Sequence, residues 1–120
     1  MLKDDGTGKH LLTYEVTGLI RRIPIESRGE TRGHEWVRGG VLLEVFEDGV
    51  DGSAMLWLMT WKDEMIETLN TIGVGKRVRV TYHLDTREKH DNYQVSTIID
   101  SIEGLTDAES YIYNKKKKGE

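Results

Sequence analysis

The chain has 120 residues, enough for one ordinary domain, with 37% apolar and 32% charged residues and no cysteine. Without cysteine, a disulfide framework, a thiolate metal site and a cysteine nucleophile are excluded. A net charge of −4 excludes a uniformly basic coat, so any polyanion site has to be a local patch.

Residues 1–10 are polar and are expected to be a flexible N-terminal segment. Their acidic, glycine-bearing start is unlike a targeting signal, and no apolar run approaches the ~20 residues that cross a bilayer. A soluble, cytoplasmic protein is expected, in keeping with the absence of cysteine.

The first predicted strand starts near Leu12, where Leu12, Tyr14, Val16, Gly18 and Ile20 alternate with polar neighbours. Gly18 marks an expected bend, and Pro24 ends the run. Residues 26–34 are expected to be a long mobile loop. A second strand, about Glu35 to Phe46, puts Val37, Val41, Leu43 and Val45 on one face, with a bulge expected at Gly39 or Gly40. After a turn with two Asp-Gly pairs comes a third strand, Ala54 to Trp61. Its Leu56, Leu58 and Thr60 face one way, and Met55, Trp57, Met59 and Trp61 the other.

The period then changes. Met65, Ile66, Leu69 and Ile72 predict a helix over 62–72, capped by Thr60 and stopped by Gly73. A fourth strand follows Gly75-Lys76, with Val78, Val80, Tyr82 and Leu84 on one face and Arg77, Arg79, Thr81 and His83 on the other. Residues 85–92 are expected to be a hydrophilic hairpin loop, and Tyr93 to about Ile102 a fifth strand. Residues 104–120 read as a polar tail ending in Lys115 to Lys118, a run expected to be a disordered solubilising end, with contact to DNA as the alternative. The fold class is therefore all-β: a five-stranded OB-fold barrel over residues 11–103, with one short α-helix between strands three and four. An SH3-like barrel also has five strands, but its helix is usually a single 3₁₀ turn before the last one.

Ordered motifs carry a resemblance. Leu12-Thr-Tyr-Glu-Val-Thr-Gly18, Glu35-Trp36 and Trp61-Lys62-Asp63 resemble, in order and spacing, the bacterial and phage single-stranded-DNA-binding-like OB proteins. Gly75-Lys76-Arg77-Val78-Arg79-Val80 and Leu84-Asp85-Thr86-Arg87 complete the set, which covers about residues 12–103. The chain departs from that family in its lysine-rich end, where relatives often carry an acidic, glycine-rich tail. It also has Lys89 and His90 where relatives often place a tryptophan.

Holding a single strand needs cations along the phosphates and flat side chains under the bases. Residues 18–38 hold five arginines, Arg21, Arg22, Arg28, Arg32 and Arg38, against three glutamates. Residues 76–90 hold Lys76, Arg77, Arg79, Arg87 and Lys89 against Asp85 and Glu88. Residues 44–67 hold seven carboxylates and one lysine. The basic segments are those that flank the nucleic-acid groove in OB folds. Trp36 is balanced between stacking platform and packing; for Trp57 packing is slightly favoured. Trp61, Tyr14, Tyr82 and Phe46 are assigned to the framework, and Tyr93 sits ambiguously at a loop edge. The arginines of strand four also fit a solvated face. The candidate binding residues are thus Arg21, Arg22, Arg28, Arg32, Trp36, Arg38, Trp57, Arg77, Arg79, Arg87, Lys89 and Tyr93.

Catalytic patterns are lacking. His10, His34, His83 and His90 are scattered, without metal-ligand spacing. Gly73-Val74-Gly75-Lys76 lacks the phosphate-loop spacing, and Asp48 and Asp51 lack the rest of a calcium loop. No cofactor and no metal is expected. The resemblance implies a non-catalytic protein that binds single-stranded DNA, with RNA left open, in replication, recombination or repair. A homo-oligomer is expected, a dimer by analogy, with the edges of strands one and four as candidate contacts. The alternative is an OB-fold protein-interaction module that does not bind nucleic acid.

Overall fold

In the computed structural model, residues 2–4, 6 and 10–105 are described. The alternating segments form seven strands: β1 (Leu2–Asp4), β2 (His10–Arg22), β3 (Ile25–Thr31), β4 (His34–Val45), β5 (Ala54–Thr60), β6 (Arg77–Lys89) and β7 (Asn92–Gly104). One helix, α1 (Asp63–Ile72), lies between β5 and β6. The sheet order is β1-β2-β6-β7-β5-β4-β3, and an extra β2–β4 pairing joins β2, β6, β7, β5 and β4 into a ring of five strands. All pairings are antiparallel except β5–β7, where Met59 meets Ile98.

The ring closes around the predicted apolar faces. Ile20, Val41, Leu43, Leu58, Leu69, Val78 and Val80 are fully buried and form one cluster with Ile99. Leu69 comes from α1, whose apolar stripe covers one end of the ring. Burying such side chains contributes roughly 1.5–3 kcal/mol each. Gly40 allows close strand approach: a Cβ there would stand 2.0 Å from the Leu58 carbonyl oxygen.

The helix starts and stops nearly as predicted. Lys62, not Thr60, is its N-cap and makes no side-chain capping bond. The Thr60 hydroxyl instead accepts from the Lys62 N–H at 3.0 Å, shaping the turn just before the helix. Gly73, at φ 96°, ends it and donates its N–H to the Leu69 carbonyl.

Other expectations change for physical reasons. The loop expected at 26–34 is a hairpin, with β3 paired along β4 and a tight turn at Arg32 and Gly33, both at positive φ. The hairpin expected at 85–92 is there, but most of it is strand: β6 and β7 pair as far as Lys89 and Asn92, around His90 and Asp91 at φ 51° and 65°. Both arms project beyond the core and are wet on both faces, so no apolar alternation announces them. The expected bulges move too. The β2–β4 register shifts between Ile20 and Arg22, and the β3–β4 register between Ile25 and Ser27, opposite the expected Gly39. Finally, Leu2–Asp4, within the segment read as flexible, pairs with His10–Leu12. The Lys115 to Lys118 run lies outside the described residues.

Candidate nucleic-acid interface

The outward faces of β4 and β5 carry the site. Trp36 and Arg38 alternate with buried Val37 on β4, so both point away from the core. On β5, Trp57 and Met59 alternate with Leu58, and Trp61 continues the same parity just past the strand end. Gly39 pairs with Thr60, which makes Arg38 and Trp61 cross-strand neighbours. The Arg38 guanidinium carbon lies 5.4 Å from the Trp61 ring centroid. The Trp36 and Trp61 rings are 6.1 Å apart and inclined at 59°. Such cation–π and tilted ring geometries are attractive and hold the group as a unit.

The β3–β4 hairpin fixes Trp36. Its indole lies over Gly29, where a Cβ would come within 2.5 Å of the ring. Its Nε1–H donates to the Thr31 hydroxyl at 3.1 Å. Even so, Trp36 keeps 37% of its surface exposed and Trp61 keeps 52%. Two hollows flank this aromatic pair. One, about 340 Å³, is lined by Arg28, Gly29, Glu30, Glu35 and Trp36. The other, about 150 Å³, is lined by Arg38, Met59, Trp61, Asp85, Arg87 and Gln94 among others. The second hollow therefore links the aromatic pair to the β6–β7 arm, whereas Arg28, Glu30 and Glu35 of the first share the parity of buried Val37, on the other side of the β3–β4 hairpin.

The candidate residues divide. Trp36, Arg38 and Arg87 line the two hollows; Arg28 also lines the first but, paired with Val37, faces the other side of the β3–β4 hairpin from Trp36 and Arg38. Lys89 shares the parity of Arg87 at the arm's end, and Arg32 occupies the turn of the other arm. Arg22 is exposed and pairs in register with Leu42, which pairs with half-buried Trp57, so these form a row across the same face.

The other four are elsewhere. Arg21 is held by Glu44, its Nε donating at 2.6 Å, and Ser53 donates to the same carboxylate at 2.5 Å. Arg77 is only 8% exposed, so its guanidinium is not on this surface. Arg79 lies between Glu15 at 3.6 Å and Glu103 at 3.1 Å, an ion-paired solvated face. Tyr93, paired with Glu88, faces the opposite side of the hairpin from Arg87 and Gln94.

Trp61 is the main site residue that the sequence reading assigned to the core; the structure exposes it. The available signal was parity: Trp61 alternates with buried Leu58 and Thr60 and shares its side of the strand with exposed Met55 and half-buried Trp57, although Met59 on that side is buried. Among the described residues no group of three His, Asp or Glu side chains could hold a metal ion. His83 and Asp100 meet at 2.8 Å as an isolated pair. On the core side of the outer sheet, Tyr14 and Tyr82 lie 5.8 Å apart. Burial, and secondarily Tyr14, pushes the Tyr82 phenol above its ordinary value.

No protein-family model and no curated protein matches the sequence. Solved structures do match. The mitochondrial single-stranded DNA binding protein Rim1 of S. cerevisiae superposes with a TM-score of 0.59 at 10% identity, over 79% of this chain and 94% of that one. The N-terminal domain of PriB from Thermoanaerobacter tencongensis, described as dimeric, gives 0.55 at 16%, over 80% and 98%. The second single-stranded DNA binding protein, SSBb, of Mycobacterium smegmatis gives 0.54 at 18%, over 83% and 92%. The chain has the OB fold of these proteins.

Proposed function

We propose that this chain is a non-catalytic, sequence-tolerant single-stranded-DNA-binding protein of replication, recombination or repair, working in a reducing, cytoplasmic compartment. The observation that carries the reading is the Trp36–Arg38–Trp61 cluster, half-exposed and beside a hollow lined by Arg38 and Arg87. Two open aromatic faces accept bases of any identity, and the arginines along the same line suit a phosphate backbone. What the structural neighbours are named for supports the same reading. The test is titration with oligothymidine at low salt, following tryptophan fluorescence. Quenching that salt reverses is the expected result. Neither quenching nor a gel shift would overturn the reading and leave the protein-interaction module. Oligouridine run in parallel reports the DNA-against-RNA preference.

Self-association is part of the proposal. β6 is paired on both sides, so it offers no free edge as a contact. Instead the outer halves of β2 and β7, with β1, expose Leu2, Leu12, Tyr14 and Val95 on the face that lines the core further in. A second copy covering this apolar face fits the dimeric state of the PriB neighbour. Light scattering on the full chain should show a dimer or higher oligomer, and Leu12→Asp should lower the mass. A monomer in the unsubstituted chain would overturn this part.

A further inference from the structure

We propose that Glu26 and Asp85 are built-in counter-ions of this interface, holding the arginines that a phosphate backbone would take and so limiting its affinity. This inference rests on the single-strand reading above and concerns the regulation of that same site.

Each of the three arginines lining the hollows already faces a carboxylate of its own chain. Arg38 Nε lies 3.5 Å from Glu26 Oε2, Arg87 Nε 2.9 Å from Asp85 Oδ2, and Arg28 Nη1 3.9 Å from Asp63 Oδ1. These partners arise by three separate routes. Asp85 is two residues from Arg87 on one face of β6. Glu26 falls at the β3 register shift, which leaves it out of the ladder and facing Arg38. Asp63 is the first residue of α1, reached by Arg28 from β3. Among the described residues Arg22, Arg32 and Lys89 have no ion-pair partner, whereas each arginine lining a hollow has one.

Carboxylate and phosphate oxygens bind a guanidinium in the same manner. Seating a strand on the interface is therefore an exchange of anions, with each displaced carboxylate left beside an incoming phosphate. The pairs are exchangeable: the side chains of all six residues keep about a third or more of their surface in solvent. Arg38 Nε makes no hydrogen bond, so Glu26 neutralises it without fully satisfying it. The opposite role, carboxylates that pre-position the arginines, predicts the opposite sign.

The experiment titrates labelled oligothymidine at low salt by anisotropy with the full chain, Glu26→Gln, Asp85→Asn and the double variant. Asp63 is left intact because its partner Arg28 faces the other side of the β3–β4 hairpin. Glu67→Gln, on the exposed side of α1, changes the net charge equally and serves as the control. Each single substitution should tighten binding about two- to fivefold, the span of exposed ion pairs, and the double by about the product. The control should move little, and the gain should shrink as salt rises. Unchanged or weaker binding by the variants, with the unsubstituted chain binding, overturns this inference alone. A gain in Glu67→Gln equal to theirs also overturns it, because net charge would then suffice. Binding by none of the proteins overturns both this inference and the single-strand reading. Binding by the variants alone supports both. Unchanged thermal midpoints show that the fold is intact.

Discussion

The same strands serve two regions with opposite environments. In the ring, Val78 and Val80 of β6 are fully buried; eight residues further, Thr86 to Lys89 of the same strand are exposed. β4 divides across its faces, with Val37, Val41 and Leu43 inward and Trp36 and Arg38 outward. Stability is therefore concentrated in the ring, and the proposed binding chemistry in the arms and the outward face. Substitutions should separate the two.

The largest expected effect is in the ring. Leu58→Ala removes a fully buried side chain and should cost about 2–5 kcal/mol of stability in denaturant unfolding. Next come Trp61→Ala and Trp36→Ala, each expected to cost about 1–3 kcal/mol of oligothymidine affinity through lost stacking. Trp61→Ala should leave the unfolding midpoint nearly unchanged, since half of the side chain is in solvent. If Trp61→Ala unfolded the protein while binding persisted, the division between ring and outward face would be broken.

Arg79→Ala sharpens the comparison from the other side. Arg79 belongs to a basic segment of the sequence but sits between Glu15 and Glu103, so DNA affinity should change less than about twofold. Loss matching that of Arg38→Ala would extend the binding surface onto β2–β6–β7. The smallest effect is on pH dependence. The Tyr82 phenol is raised in the folded state, so its contribution is fully present below the ordinary tyrosine value of 10.0. Stability should fall as pH rises from there through the raised value. Tyr82→Phe should remove that part of the alkaline slope in pH-dependent unfolding.

The ring was legible because its strands alternate apolar and polar residues, and because Ile66 and Leu69 change the period before Gly73. The arms were not. Residues 26–34 and 85–92 are hydrophilic on both faces, and their pairing comes from the register started in the ring and from turns at positive φ. Half of the site was readable in the same way: Trp36 and Arg38 follow from the parity of Val37. Trp61 was missed because its place at the helix junction suggested burial, although its parity with Met55 pointed outward.

By itself the sequence determined which face of each ring strand is buried, where the helix lies, and that basic and acidic segments are separated. Those follow from local periodicity and composition, which each segment carries alone. Tertiary structure alone decided which charges meet. The Arg38–Glu26, Arg28–Asp63 and Arg79–Glu103 pairs join residues far apart in the chain; strand register sets the first and third, and the seating of α1 beside β3 the second. It also brought Trp36 to Trp61, because the pairing of Gly39 with Thr60 fixes both rings on one face. Distance along a chain does not encode such neighbours; ring closure does.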